Sequence, residues 1–388
     1  MKVLVYGLAR SGVAAAAALE ARGDEVVRVD AQLANEDDPS LLDGVELLVK
    51  NPGVPGEQPL VVDARRRGIP VWSEVELGYR LLRPRPFVGV TGTKGKTTTS
   101  ELLGEIFRAA GREVVVAGNV GRPLSAVDAA EDAWIVCELS SFQLEDVHEL
   151  ALEVAVLLNL EPDHLDRHGT FERYREAKLR IFERARHKVV PRGLGLDGLE
   201  FSADDPLPAE PQLPGRHNRA NAAAATAVAR AVGIDDDAIA QALLEFRGVP
   251  HRLELARERD GVRWINDSIA TNTLAARAGV EAFDAPVRLI LGGRAKGEDY
   301  GAFARALPPH VAAVYLVGEA SDELAAALDA AGRAYERAET IGRAVELAAA
   351  ESVPGDVVLL SPACASYDQF ENFERRGEEF RRLVANLP

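Results

Sequence analysis

The stretch Phe87-Val88-Gly89-Val90-Thr91-Gly92-Thr93-Lys94-Gly95-Lys96-Thr97-Thr98 decides the reading of this chain. A short apolar run over 87–91 predicts a strand, and the residues after the glycine loop predict a helix to 110. A glycine-lysine loop between a strand and a helix is a phosphate-binding signal. Gly92 and Gly95 let backbone N–H groups wrap phosphate oxygens, and the helix start adds its dipole. Lys96 is placed to reach the β- and γ-phosphates of ATP, and the Thr97 hydroxyl to ligate magnesium. Thr93, Lys94 and Thr98 complete the loop. It is two residues shorter than G-x-x-x-x-G-K-[ST], which points to a particular subset of ATP users.

Working outward, the two prolines of Leu82-Arg83-Pro84-Arg85-Pro86 break regular structure ahead of this strand. Upstream come a strand over 3–6, a glycine turn, an alanine-rich helix over 13–22 and a strand over 25–30. That order implies a parallel sheet. The turn Gly7-Leu8-Ala9-Arg10-Ser11-Gly12 resembles a dinucleotide fingerprint with its middle glycine replaced by Ala9, and Asp30 stands where an acid would meet a ribose. Taken alone, it leaves a nicotinamide enzyme open; another pyrophosphate-bearing nucleotide suits the same turn. Downstream, strands are predicted over 113–117, 134–139 and 154–160, helices over 171–185 and 218–232, and a proline-rich loop over 205–214. A second break falls at 246–250. Beyond it, strands over 287–291, 313–317 and 357–360 alternate with helices over 302–306, 322–331, 341–350 and 374–385. The fold class is α/β in three consecutive domains: a Rossmann-like domain over 1–84, a central P-loop ATPase domain over 85–247 and a Rossmann-like domain over 248–388.

Composition narrows the function classes. The 388 residues carry a net charge of −16, which argues against nucleic acid or an anionic membrane as partner. No apolar run reaches the roughly 20 residues of a membrane span, so no membrane insertion is expected. Met1 to Gly7 reads as a first strand rather than a signal segment. Only Cys137 and Cys364 are present, so no disulfide framework forms and a reducing cytoplasm is expected.

Two further clusters carry chemistry. Glu138 ends the apolar strand over 134–139, at the edge where parallel sheets place ligands. His164, in Asp163-His164-Leu165-Asp166-Arg167-His168, follows another apolar run. Both can face the phosphate loop and bind metal. Lys178 lies on the helical face that carries Phe171, Tyr174, Ile181 and Phe182, the apolar face. A lysine there either snorkels to water or loses its charge. A neutral amine can take up CO₂ as a carbamate, an anionic metal ligand.

These residues resemble the Mur ligases over essentially the whole chain. The matching motifs are Gly-Val-Thr-Gly-Thr-Lys-Gly-Lys-Thr-Thr (89–98), Glu-Leu-Ser-Ser-Phe-Gln-Leu (138–144), Asp-His-Leu-Asp-Arg-His (163–168), Tyr-Arg-Glu-Ala-Lys (174–178), His-Asn-Arg-Ala-Asn (217–221), Pro-His-Arg-Leu-Glu (250–254), Asn-Asp-Ser-Ile-Ala-Thr-Asn (266–272), Leu-Gly-Gly (291–293) and Leu-Ser-Pro-Ala-Cys-Ala-Ser-Tyr-Asp-Gln-Phe (360–370). Two of them, 140–144 and 361–370, resemble the branch that adds D-glutamate to UDP-N-acetylmuramoyl-L-alanine. The resemblance implies an ATP-dependent amide ligase of peptidoglycan synthesis, with two magnesium ions, acting as a cytoplasmic monomer. It implies Lys96, Glu138, His164 and Lys178, the last as a carbamate, as catalytic residues. Asn218, Asn221, Arg252 and Asp267 match the nucleotide site. Ser11, Asp30, Asn51, Gly53, Asn119 and Gln143 match the UDP-substrate site, and Lys296, Ser366 and Phe373 the D-glutamate site. Three positions depart from the pattern: Ile269 replaces a usual lysine, Lys94 replaces a usual asparagine and is offered as the compensating charge, and Ala31-Gln32 follow Asp30.

Overall fold

The computed structural model describes residues 1–213 and 215–387, with the side chain of Asp166 outside the described set. Pro214, the last residue of the expected proline-rich loop, and Pro388 therefore lie outside it. The chain divides into two compact units, Met1–Arg247 and Gly248–Pro388. The expected break near 247 coincides with that division, whereas the one near 84 falls inside the first unit.

The first unit holds two parallel sheets. One has four strands in the order Glu25–Val29, Lys2–Tyr6, Leu47–Lys50, Val71–Ser73. Val3, Leu4, Val5 and Tyr6 are all fully buried, as expected of a strand covered on both faces. The helix Arg10–Ala21 turns its small residues Gly12, Ala15 and Ala16 inward, so it can approach closely. A Cβ on Gly12 would overlap the Gly7 carbonyl oxygen.

The second sheet has six strands in the order Leu199–Phe201, Ala185–Pro191, Leu152–Leu157, Phe87–Thr91, Trp134–Glu138, Val114–Gly118. Phe87–Thr91 sits near its middle, all five residues buried. The helix Lys96–Ala109 covers one face with Leu102, Leu103, Ile106 and Phe107. Each fully buried side chain of this size contributes on the order of 2 kcal/mol. The C-terminal strand ends of both sheets carry the turns described below.

The second unit has one six-stranded sheet: Glu254–Arg259 pairs antiparallel with Val262–Asn266, followed by Val357–Leu360, Val287–Gly292, Val311–Val317 and Glu336–Glu339 in parallel. Chain order reverses between Val287–Gly292 and Val357–Leu360, the place where open α/β sheets bind ligands.

Two expected elements differ. The strand expected over 154–160 is Leu152–Leu157; Asn159 instead gives its carbonyl to Thr93 N and its side chain to Lys94. The helix expected over 171–185 stops at Leu179. A short 3-10 turn, Arg180–Phe182, follows, and a strand starts at Ala185. Arg180 is drawn out of the helical path by the carbonyls of Glu145 and Val147, at 2.9 and 2.7 Å.

Candidate active site

Gly92 and Gly95 have φ of +158° and +85°. The loop between them is braced from its neighbours. Asn159 Oδ1 accepts Lys94 N at 2.9 Å, and its Nδ2 donates to the Lys94 carbonyl at 3.0 Å. Lys96 Nζ folds back to the Gly92 and Thr93 carbonyls, 3.0 Å each. Asn221, on the helix Arg216–Ala231, closes against Gly95 so tightly that a Cβ there would overlap its Oδ1. Asn218 lies 3.5 Å from the Asn221 amide. The nine expected nucleotide residues of the first unit, Gly92 to Thr98 with Asn218 and Asn221, thus form one group. Thr97 is buried in the first turn of the loop's helix, with Thr98 beside it. Lys94 points elsewhere: its exposed side chain pairs with Glu161 at 3.2 Å.

Lys178 lies under this loop, 2 % exposed. Its Nζ donates to the Gly92 carbonyl at 2.8 Å and lies 3.4 Å from Thr91 Oγ1. The Tyr174 ring, one helical turn away, faces the amine at 4.9 Å. Burial foremost, then the charge of Lys96, push its pKa down to about 7, against the opposing pull of Asp163 and Glu138. Lys96, Asp163, Glu138 and Lys178 therefore share one electrostatic neighbourhood. Glu138 is buried, and Asn119 Nδ2 donates to its Oε1 at 3.0 Å. His164 takes a left-handed φ of 50°, and its ring lies tilted against Phe142, 52° between the planes and 4.9 Å between centroids. By sequence Tyr174 is an apolar-face residue only; its hydroxyl also meets Thr93 Oγ1 at 2.9 Å. Its spacing of four from Lys178 was the available signal.

Among the described residues, no three His, Cys, Asp or Glu side chains converge as a preformed metal centre. Thr97, Glu138, His164 and Lys178 supply a hydroxyl, a carboxylate, an imidazole and an amine. With so few anionic protein donors, this set fits a hard cation coordinated largely by phosphate oxygens and water.

The expected UDP-substrate residues lie at two places. Ser11, Asp30, Asn51 and Gly53 stand at the C-terminal edge of the first sheet. A Cβ on Gly7 would sit 2.8 Å from Asn51 Cβ, and Gly53 N donates to Asn51 Oδ1 at 2.9 Å. Asp30 accepts from Leu8 N at 2.5 Å and Gln32 N at 2.9 Å, which lowers its pKa. Asn119 and Gln143 belong to the second sheet. Gln143 is buried and its Oε1 closes a capping box with Ser140 N at 2.9 Å, a structural duty that the sequence reading did not anticipate.

Arg252, Asp267, Lys296, Ser366 and Phe373 belong to the second unit. Asp267 is turned inward, accepting from Ser361 Oγ at 2.7 Å and Leu253 N at 3.2 Å. Burial raises its pKa to about 6, with Ser361, Leu253 and Arg252 opposing. Arg376, absent from the sequence-based set, joins the segments that carry Ser366 and Phe373. Its guanidinium, 2 % exposed, donates to Ser268 Oγ and O at 3.0 and 2.9 Å and to the carbonyls of Cys364 and Ala365. Ser268 Oγ in turn donates to the Phe373 carbonyl at 2.7 Å, Ser366 follows Ala365, and the Arg376 charge acts on Lys296, whose pKa burial lowers. Arg376 lies between Phe373 and Phe380 on an apolar helical face, the same signal that marks Lys178.

Residues 90–192 match the Mur ligase middle domain, and residues 251–364 match the Mur ligase, glutamate ligase domain. A UDP-N-acetylmuramoylalanine--D-glutamate ligase of Desulfitobacterium hafniense is 42 % identical, over 99 % of this chain and 97 % of that protein. One from Acidobacterium capsulatum is 40 % identical over 99 % and 96 %. In fold, the chain is similar to the UDP-N-acetylmuramate-alanine ligase of Thermotoga maritima, with a TM-score of 0.55, 20 % identity and 99 % of both chains covered. The MurF ligase of the same organism, solved with ADP, gives a TM-score of 0.55 at 19 % identity over 90 % of this chain and 91 % of that one. The chain belongs to the Mur ligase family, in the branch whose curated members are named UDP-N-acetylmuramoylalanine--D-glutamate ligases.

Proposed function

We propose that the chain joins D-glutamate to UDP-N-acetylmuramoyl-L-alanine in peptidoglycan precursor synthesis, with ATP as the energy source. The observation that carries this reading is the buried Lys178 amine held on the floor of the phosphate loop, in the same neighbourhood as Lys96 and Glu138. The choice of substrates rests on the full-length likeness to the relatives named above.

A carboxylate is a poor electrophile, so the L-alanyl carboxylate first attacks the γ-phosphorus of ATP. This gives an acyl phosphate and ADP. The D-glutamate amine then adds to the acyl carbon and loses a proton, and phosphate leaves with its bonding pair. Gly92 to Thr98, with Asn218, Asn221 and, from the second unit, Arg252 and Asp267, bind ATP. Lys96 and Arg252 balance the charge of the transferring phosphoryl group. Thr97 would hold one magnesium ion, and Glu138, His164 and carbamylated Lys178 a second. When bound, the ions would neutralise phosphate charge and lower the repulsion between the two anionic reactants. Ser11, Asp30, Asn51, Gly53, Asn119 and Gln143 hold the UDP-substrate, and Lys296, Ser366 and Phe373 hold D-glutamate.

We further read 1–84, 85–247 and 248–388 as UDP-substrate, ATP and amino-acid domains of a cytoplasmic monomer. Two buried free thiols, Cys137 and Cys364, suit a reducing compartment. No described helix is long and apolar enough to cross a membrane. The carbamate has a direct test. Lys178→Ala loses turnover, and a short-chain carboxylate restores part of it; full activity in the unsupplemented variant rules the carbamate out.

A further inference from the structure

We propose that Glu145 is a positioning residue for this reaction, the hub of an ionic clamp that sets the separation between the loop over 51–54 and the loop built around the one-turn helix Leu165–His168. The inference rests on the reading above, in which Asn51 and Gly53 of the first loop hold the UDP-substrate, here taken at its UDP end, and His164 of the second belongs to the metal set around its reacting carboxylate.

Glu145 directly follows the short helix Ser141–Leu144. Three groups from distant parts of the chain converge on its carboxylate. Lys50 Nζ lies 3.5 Å from Oε2, Arg167 Nη2 3.6 Å from Oε2, and His168 Nδ1 3.7 Å from Oε1. Each of the three also grips something else. Lys50, 1 % exposed at the end of the strand Leu47–Lys50, donates to the Val54 carbonyl at 3.1 Å. It also pairs with Asp146 at 3.1 Å, whose other oxygen takes Arg65 at 2.7 Å. Arg167 donates to the same Val54 carbonyl at 3.0 Å and lies over the Phe142 ring at 4.9 Å. His168 Nε2 meets Ser141 Oγ at 3.0 Å, and its ring stacks on Phe142 at 5.3 Å with 14° between the planes. Phe142 carries His164 as well, at 4.9 Å.

The two loops therefore meet at one carbonyl oxygen, and one carboxylate balances the cations that hold it. Charge arrays of this kind add little net stability, because desolvation offsets the attraction. What they fix is arrangement, and removing one member leaves buried charge uncompensated. Glu145→Gln keeps the size and removes the charge. Lys50 keeps Asp146, whereas Arg167 loses its carboxylate, so the second loop shifts relative to the first. A ligand that touches both loops senses that shift. One that touches only the first does not.

Isothermal titration of the full chain tests this. For Glu145→Gln the expected result is at least a tenfold rise in Kd for UDP-N-acetylmuramoyl-L-alanine, with UDP alone and ATP within twofold of the parent. The KM of the UDP-substrate should rise in step, with the KM of ATP unchanged. Arg167→Met removes one arm from a half-buried site and serves if the first variant does not fold; the same pattern is expected at roughly threefold to fivefold. Unchanged affinity for the whole substrate overturns the clamp. So does an equal loss for UDP alone, which would make the effect local to the first loop. A parent chain that binds no UDP-substrate fails the functional reading itself, a result distinct from either.

Discussion

Lys178→Met should yield a protein that is more stable and inactive. The wild-type amine has a pKa of about 7 in the folded chain against 10.5 for a free lysine. At roughly 1.4 kcal/mol per tenfold change, that difference weakens folding at pH 7 by about 4 kcal/mol. Methionine removes the charge and keeps the apolar stem. It forfeits the bond to the Gly92 carbonyl and the contact with the Tyr174 ring, together about 2 kcal/mol. The net gain at pH 7 is on the order of 2 kcal/mol. A lysine with a lowered folded pKa binds fewer protons folded than unfolded between pH 7 and 10.5. Wild-type stability therefore rises with pH across that window, relative to the variant. The gap should narrow by about 2 kcal/mol from pH 7 to pH 9 and be flat below about pH 6. Urea unfolding of both proteins in CO₂-free buffer, followed on the transition of the first unit, reads the gap directly. A gap that stays constant over this range, or a variant less stable throughout, refutes the account of Lys178 as an amine discharged by burial.

Gly95→Ala places a methyl group against Asn221 Oδ1 at a φ of +85°; the KM for ATP should rise at least tenfold while that for the UDP-substrate stays within twofold. Gly12→Ala drives the helix off the Gly7 turn, and overpacking of about 2–3 kcal/mol should lower the Tm of the first unit by roughly 5–10 °C. Asp267, with its folded pKa raised from 3.8 to about 6, binds more protons folded than unfolded. The second unit should thus lose about 2.5 kcal/mol between pH 3.8 and pH 7 relative to Asp267→Asn, seen as a pH-dependent gap in denaturant midpoints.

The phosphate loop was legible because its chemistry is local. Phe87–Thr91 and the helix after it follow from twelve consecutive residues. The strands Val287–Gly292 and Val357–Leu360 were legible for the same reason, as short buried runs that are apolar except for the half-buried Arg288. The strand Glu254–Arg259 was not: its sequence ELARER is charged, and it exists because Val262–Asn266 pairs with it. The helix that ends at Leu179 was misjudged because its terminator is tertiary, the hold on Arg180 by two carbonyls far upstream. Lys178 was found through the helical face it shares with Tyr174. The Glu145 cluster was not, since Lys50 and Glu145 lie 95 residues apart and no periodicity links them. Arg376 shows the remaining gap: its position on an apolar face was readable, but its role comes from four acceptors on two loops.

Phosphate release from ATP and Mg²⁺ in the presence of UDP-N-acetylmuramoyl-L-alanine, with D-glutamate, L-glutamate, L-alanine or no amino acid, tests the central claim most directly. The account predicts release only when the UDP-substrate and D-glutamate are both present. Release that depends on a different amino acid, or none under any condition, contradicts it.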